Sequence, residues 1–300
     1  MLTQAAFGPE RTLVWLASYP KSGNTWLRSL LTAYLFPDEE FSLNAMIGEQ
    51  DPFDRQLLDD HAGISSADYA PEELIYYQAQ LHLEMGRANE NRRFIKTHSA
   101  YIRSADGVAL FPDQASAGAI IVVRNPIDIV PSFAHHQNSD LDWAIDEMEN
   151  LDAGLNKWPT RSSMMLPQTM SDWSANVRSW LDQTAIPTHV LRYEDMHRDP
   201  EGSLAAVLRF CAIDVEADKV AKAVDRCRID RLREDEKSGG FNERPSARRT
   251  FFRSGKTGDG ARAMSDKQKL RILETHRSTM EALGYSADLD DYILKQEEGK

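Results

Sequence analysis

Lys21, Ser22, Gly23, Asn24, Thr25 and Trp26 stand between an apolar run and the first residues of a helical pattern. At the start of a helix, backbone N–H groups and the positive end of the helix dipole converge on one point. Lys21 adds a charge-assisted hydrogen bond there, Ser22 and Thr25 add hydroxyls, and Gly23 lets a ligand approach the backbone closely. A phosphate fits such a turn. The run is not the phosphate loop of nucleoside-triphosphate hydrolases, whose lysine follows a second glycine and directly precedes Ser or Thr, whereas Lys21 precedes Gly23. A second anion site is suggested by Arg124, which directly follows a buried run, with Pro126 opening a helix and Ser132 two turns on; a guanidinium and a hydroxyl can converge there. A third cluster lies between Asn242 and Arg262, where six basic residues (Arg244, Arg248, Arg249, Arg253, Lys256, Arg262) face two acids, Glu243 and Asp259, a local balance of +4. His98 follows a strand-like run and is placed to project toward the same site, where an imidazole suits acid–base work near neutral pH. Adjacent residues such as His135 and His136 do not face each other on a helix, and no third ligand has workable spacing, so they read as a polar helix face and no metal is expected.

These groups need elements to hold them. Thr12–Tyr19 is short, apolar and aromatic, and reads as a buried strand broken at Pro20–Asn24; from Thr25 the residues Trp26, Leu27, Leu30, Leu31, Tyr34 and Leu35 recur at helical spacing until Pro37. Residues 38–92 are polar and less regular, with one helix expected from Pro71 through Leu83. Arg93–Thr97, Ala119–Val123 and Thr188–Tyr193 read as further strands and Ser171–Thr184 as an amphipathic helix, while 138–168 looks like an insertion over the sheet. Strands alternating with helices imply a single α/β domain spanning 1–300, its central, mainly parallel sheet flanked by helices and its ligands at the carboxyl ends of the strands. Residues 233–262, glycine-rich and short of aliphatics, read as an ordered but mobile loop.

The chain has 300 residues, 41% hydrophobic and 27% charged, with a net charge of -12. That acidity argues against a main role in gripping nucleic acid or an anionic membrane, so an anionic ligand requires a local basic cluster. Two cysteines, Cys211 and Cys227, make no disulfide framework. No signal-like start and no apolar run of spanning length are visible, and a cytoplasmic protein is expected.

Taken in order, S-Y-P-K-S-G-N-T-W, F-I-K-T-H, V-V-R-N-P-x-D-x-x-x-S, L-R-Y-E-D-M and F-F-R-S-G-x-x-G-D resemble the cytosolic sulfotransferase family from Ser18 to Asp259. The resemblance implies 3′-phosphoadenosine 5′-phosphosulfate (PAPS) as co-substrate, with no metal. It makes the first motif, Lys21 to Trp26, a P-loop-like 5′-phosphosulfate loop, pairs Arg124 with Ser132 at the 3′-phosphate, and gives Tyr193, Arg253, Ser254 and Gly255 contacts to the donor. Three departures stand out. Ser254 replaces the family's usual lysine, Gly260 its tryptophan, and Ile229 a phenylalanine that lies against adenine. Trp26 and Phe251 remain to flank the base.

The family-based mechanism assigns His98 to the acceptor proton, Lys21 to the bridging oxygen, Lys96 to the sulfuryl oxygens, and Ser132 to restraining Lys21. A hydroxyl or amine of a small, partly apolar or aromatic molecule is the expected acceptor, under 38–92 and 138–168, where Phe53, Tyr69, Tyr76, Tyr77, Trp143, Met148, Trp158, Met164 and Met165 suit it or are simply core. Residues 233–262 are expected to close over the donor as a lid. An ATP-dependent kinase would want the missing phosphate-loop sequence, and a non-catalytic nucleotide-binding module would not need Lys21, Lys96, His98 and Ser132 together.

Overall fold

The computed structural model describes residues 11–48, 53–87, 91–156, 164–244, 250–253 and 255–285. In chain order the elements are β1 (Leu13–Ser18), α1 (Asn24–Leu35), α2 (Arg55–Ala62), α3 (Pro71–Arg87), β2 (Arg93–Thr97), β3 (Ser116–Val123), α4 (Pro126–Gln137) and α5 (Leu141–Glu149). They continue with β4 (Gly154–Leu155), β5 (Gln168–Thr169), α6 (Trp173–Leu181), β6 (Thr188–Arg192), α7 (Tyr193–Arg198), α8 (Pro200–Phe210), α9 (Ala217–Arg226), α10 (Ile229–Gly239), α11 (Asp259–Ala263) and α12 (Asp266–Ala282).

The central sheet is parallel throughout, in the order β2-β1-β3-β6. Every residue of β1 and β3 is buried, as a strand covered on both faces requires. The two-residue period of a strand sends alternate side chains to opposite faces: Leu13, Trp15 and Ala17 enter one apolar cluster with Phe111, Phe133, Trp173 and Trp180, while Val14 and Leu16 enter the other with Leu27, Leu30, Leu31, Val207 and Leu208. Burying side chains of this size stabilises the fold by about 1.5–3 kcal/mol each.

Local chemistry sets the element ends. Asn125 caps α4 by accepting from the Ile127 N–H, with Pro126 at the first helical position, and Ser265 and Gln268 close a reciprocal cap at α12. Several expectations need correction. The 38–92 stretch holds α2 as well as α3, which runs to Arg87 rather than stopping at Leu83. The 138–168 stretch is not merely an overlay: α5 packs against α4 and α12. The basic segment begins inside α10, so Arg233 to Gly239 is helix rather than loop.

The aromatic and methionine set of those two stretches is largely core or surface. Phe53 and Met148 are fully buried in the core, Tyr69 stacks edgewise on Tyr77, Tyr76 bonds Asp106 at the surface, and Met164 is exposed. Trp143 packs half-exposed on Phe133, and Met165 against the core rim. Trp158 and Ser254 lie outside the described residues.

Candidate active site

The sheet register brings the chemistry together. Ala17 pairs with Thr97, Ser18 with Val122 and Val123 with Arg192, so all four parallel strands end level. The next residue of β2 is His98, of β3 Arg124 and of β6 Tyr193, while β1 runs into the Tyr19–Gly23 turn. This is where an α/β sheet presents its ligand site. A cavity of about 710 Å³ opens there, lined by Lys21, Gly23, Asn24, Thr25, Trp26, Lys96, His98, Arg124, Ser132, Tyr193, Ile229, Phe251, Arg253 and Gly255 among others. Among the described residues, none from 38–92 lines the cavity, and from 138–168 only Leu155 does.

The turn is shaped as an anion cradle. Lys21 and Gly23 both take left-handed backbone (φ 68° and 110°), and Gly23 caps α1 without a side chain, so no side chain answers the first N–H groups of that helix. A Cβ on Gly23 would stand 2.6 Å from the Tyr193 ring, so packing as well as φ requires glycine. Asn24 ties the turn back to β1, donating to Leu16 O at 2.8 Å and to Ser18 Oγ at 3.1 Å. Ser22 Oγ, Asn24 Oδ1 and Arg124 Nε are buried polar atoms without a protein partner. Such atoms fit a ligand with anionic oxygens and hydroxyls.

Arg124 joins the loops around the cavity. Its guanidinium donates to Lys21 O at 3.3 Å and Lys256 O at 3.1 Å and lies 4.3 Å over the Tyr193 ring. Glu194 accepts from the Asn125 N–H and the Tyr285 hydroxyl, fixing the neighbouring turn. The C-terminal segment is held twice. The Glu236 carboxylate accepts from the N–H groups of Phe251 and Phe252, and the buried Asp128 carboxylate from those of Gly258 and Gly260. A Cβ on Gly260 would meet Ile127 O at 2.0 Å, so a tryptophan has no room at this position. Gly255, at φ 64°, lies so close to Ile229 that a Cβ would be 2.7 Å from its side chain.

His98 is oriented for proton transfer. Its Nδ1 is 2.8 Å from Ser18 O, and because a carbonyl only accepts, Nδ1 carries the hydrogen and Nε2 keeps its lone pair. Gln168 and Asn176 hold its backbone from either side. Burial and the Lys96 ammonium lower its pKa to about 3, the Ser18 bond opposing. Lys21 lies 3.8 Å over the Phe251 ring and 3.5 Å from the Nδ1 of His136, which stands one turn beyond Ser132 on α4. Burial, then Lys96, lowers its pKa to about 7. Burial and Lys21 lower that of His136 to about 4.

One expectation changes here. His136 is not a solvated face but lines the cavity, while His135 points to Thr250 O. Trp26 packs against Tyr193 and His197, and Phe251 against Phe241, Phe252 and His136. Glu243 enters the site unannounced, bonded to Arg28 and to Lys96 at 3.0 Å. Its one sequence sign is that it is the first of only two acids in the basic 242–262 run.

Known proteins are similar to this chain over most of its length. The profile of the sulfotransferase domain matches residues 11–284. Cytosolic sulfotransferase 8 of Arabidopsis thaliana is 24% identical over 286 residues, covering 89% of this chain and 76% of that protein. The flavonol 3-sulfotransferase of Flaveria bidentis is 23% identical over 289 residues, 91% of this chain and 83% of its own. Among solved structures, mouse sulfotransferase SULT7A1 complexed with PAP superposes with a TM-score of 0.61 at 20% identity, covering 96% of this chain and 90% of that one. Retinol dehydratase in complex with androsterone and inactive cofactor PAP gives 0.57 at 16%, covering 90% and 80%.

Proposed function

This chain belongs to the sulfotransferase family, and from that we propose that it transfers a sulfuryl group from PAPS to a hydroxyl or amine of a small-molecule acceptor, with His98 as general base. The observation that carries the reading is the level ending of four strands, which gathers Lys21, Lys96, His98 and Arg124 around one cavity. PAP in the related structures and the flavonol named in one relative support the donor and acceptor classes.

The donor supplies a sulfuryl group on a phosphosulfate anhydride. Around it, the α1 N-terminus with Ser22 and Thr25 would hold the 5′ side, and Lys21 would face the oxygen on which charge develops as the anhydride opens. Lys96 would meet the sulfuryl oxygens. His98 Nε2 would take the acceptor proton as the acceptor bonds to sulfur. Arg124, Ser132, Arg253 and Gly255 would receive the 3′-phosphate, and Trp26, Tyr193 and Ile229 would border the adenosine.

Selection of PAPS over ATP then rests on the 3′-phosphate. Arg124→Ala is expected to weaken binding of adenosine 3′,5′-bisphosphate by about 1.5–3 kcal/mol, the worth of a charge-assisted contact. Calorimetry checks it; equal wild-type affinity for adenosine nucleotides with and without a 3′-phosphate would sink the reading.

The 233–262 segment is proposed as the cover over the donor, hinged between the Glu236 and Asp128 anchors. Hydrogen exchange should slow across Phe251–Phe252 and Gly255–Arg262 when the bisphosphate is added. Unchanged exchange there would show that this segment does not close.

A further inference from the structure

Three charged side chains from distant parts of the chain meet beneath the proposed sulfuryl position. Arg28, on α1, is completely buried. Its Nε donates to Ile47 O at 2.7 Å and one terminal nitrogen to Glu243, while the other has no partner. Gly48, at φ 76°, leaves room for this: a Cβ would stand 3.3 Å from the Arg28 Nε. Glu243 therefore is not a surface carboxylate that happens to meet a lysine. It is fixed from below by a core arginine, and its second oxygen is presented to Lys96 at 3.0 Å on the cavity wall.

Building on the sulfotransferase reading, we propose that Glu243 is a positioning residue for this reaction: anchored by Arg28, it aims the Lys96 ammonium and supplies the negative charge that lets Lys21 and Lys96 share one site. An ammonium has three hydrogens. With one given to Glu243, two remain for sulfuryl oxygens, and Lys96 need not search among rotamers when the donor arrives.

The charge argument runs the same way. Lys21 faces cationic Lys96 and Arg124 and neutral His98 and His136; against these stand the carboxylates of Glu243 and Glu236. Glu243 itself resists protonation: burial works against its charge, but Lys96 and Arg28 outweigh that and hold its pKa at about 2. It stays ionised across the working range and opposes the loss of the Lys21 proton.

The test needs no donor. Competitive acetylation of the donor-free protein across pH, read residue by residue by mass spectrometry, reports when Lys21 loses its proton. In Glu243→Gln the Lys21 transition is expected about one pH unit below its wild-type position near 7, with Lys96 acetylated faster at every pH. Where the enzyme turns over, kcat should fall about tenfold while affinity for the bisphosphate changes little. Glu243→Asp keeps the charge but withdraws it by one methylene; it should move Lys21 in the same direction by less, and it replaces the first variant if that one does not fold. A folded variant whose Lys21 titrates as in the wild type overturns the proposal. Failure of the wild type to bind the bisphosphate would overturn the sulfotransferase reading instead, and leaves the lysine titration to judge Glu243 alone.

Discussion

His98→Ala should lower turnover by about 100-fold or more and leave affinity for adenosine 3′,5′-bisphosphate nearly unchanged. The Nδ1–H is committed to Ser18 O, so the only free function of the ring is the Nε2 lone pair, and that is the atom the substitution deletes. The atoms proposed to bind the donor come from the Lys21–Trp26 turn and from Arg124, which line the cavity and which the substitution leaves in place. The pKa of about 3 makes the ring a weak base before the donor binds, because burial and the Lys96 and Lys21 ammonium groups disfavour imidazolium. An anion against those lysines cancels their repulsion and raises the imidazole toward its ordinary range. Activity measured against pH should therefore show an acid limb that reports the donor complex, and this limb should vanish in His98→Ala. Near wild-type turnover in the variant would send the proton by another route, with His136 the next group to test.

The beginning of the chain was open to reading because its punctuation is strong. Pro20 and Gly23 end β1 and Pro37 ends α1, so boundaries came within a residue or two. The same holds at Arg124–Pro126. By contrast α2 has only Leu57 and Leu58 as large apolar residues in eight, and α9 buries only Val220 and Ala223 of its ten, so neither carries the long apolar run that marks α1. The candidate site was legible to the extent that strand ends in an α/β sheet converge: His98 and Arg124 each follow a strand, and a level register does the rest. Glu243 was not, since its partners Arg28 and Lys96 lie on a helix and a strand far away in sequence and nothing in the spacing couples them. Aromatic content also misled. Whether Phe53 fills the core or a ligand pocket depends on which side of the sheet its segment crosses, and composition carries no information on that.

Lys21→Met should have two opposite effects, and their coexistence is the sharper test of the site. Turnover is expected to fall by about 100- to 1000-fold, since in the proposed mechanism the ammonium would face the oxygen that gains charge as the donor opens. Bisphosphate affinity should drop too, by about tenfold, because the same charge meets the ligand before reaction. The donor-free protein, however, should become more stable at neutral and acid pH. In the folded chain the Lys21 pKa is lowered to about 7, chiefly by burial and then by Lys96, while in the unfolded chain it is near the ordinary 10.5. Below pH 7 both states carry the charge, and the folded state bears the full penalty of enclosing it. Between about 7 and 10.5 the folded state has shed its proton and the unfolded state has not, so the penalty shrinks as pH rises and is gone above that window. Methionine fills a similar volume without the charge, so thermal unfolding at pH 6 should occur at higher temperature in Lys21→Met than in the wild type, with the difference closing toward pH 10. A cation kept where it destabilises the empty protein is the expected mark of a group reserved for an anionic ligand. Should the variant prove less stable at pH 6, the Lys21 ammonium is held by compensating contacts in the empty site, and its role in awaiting the donor would have to be abandoned.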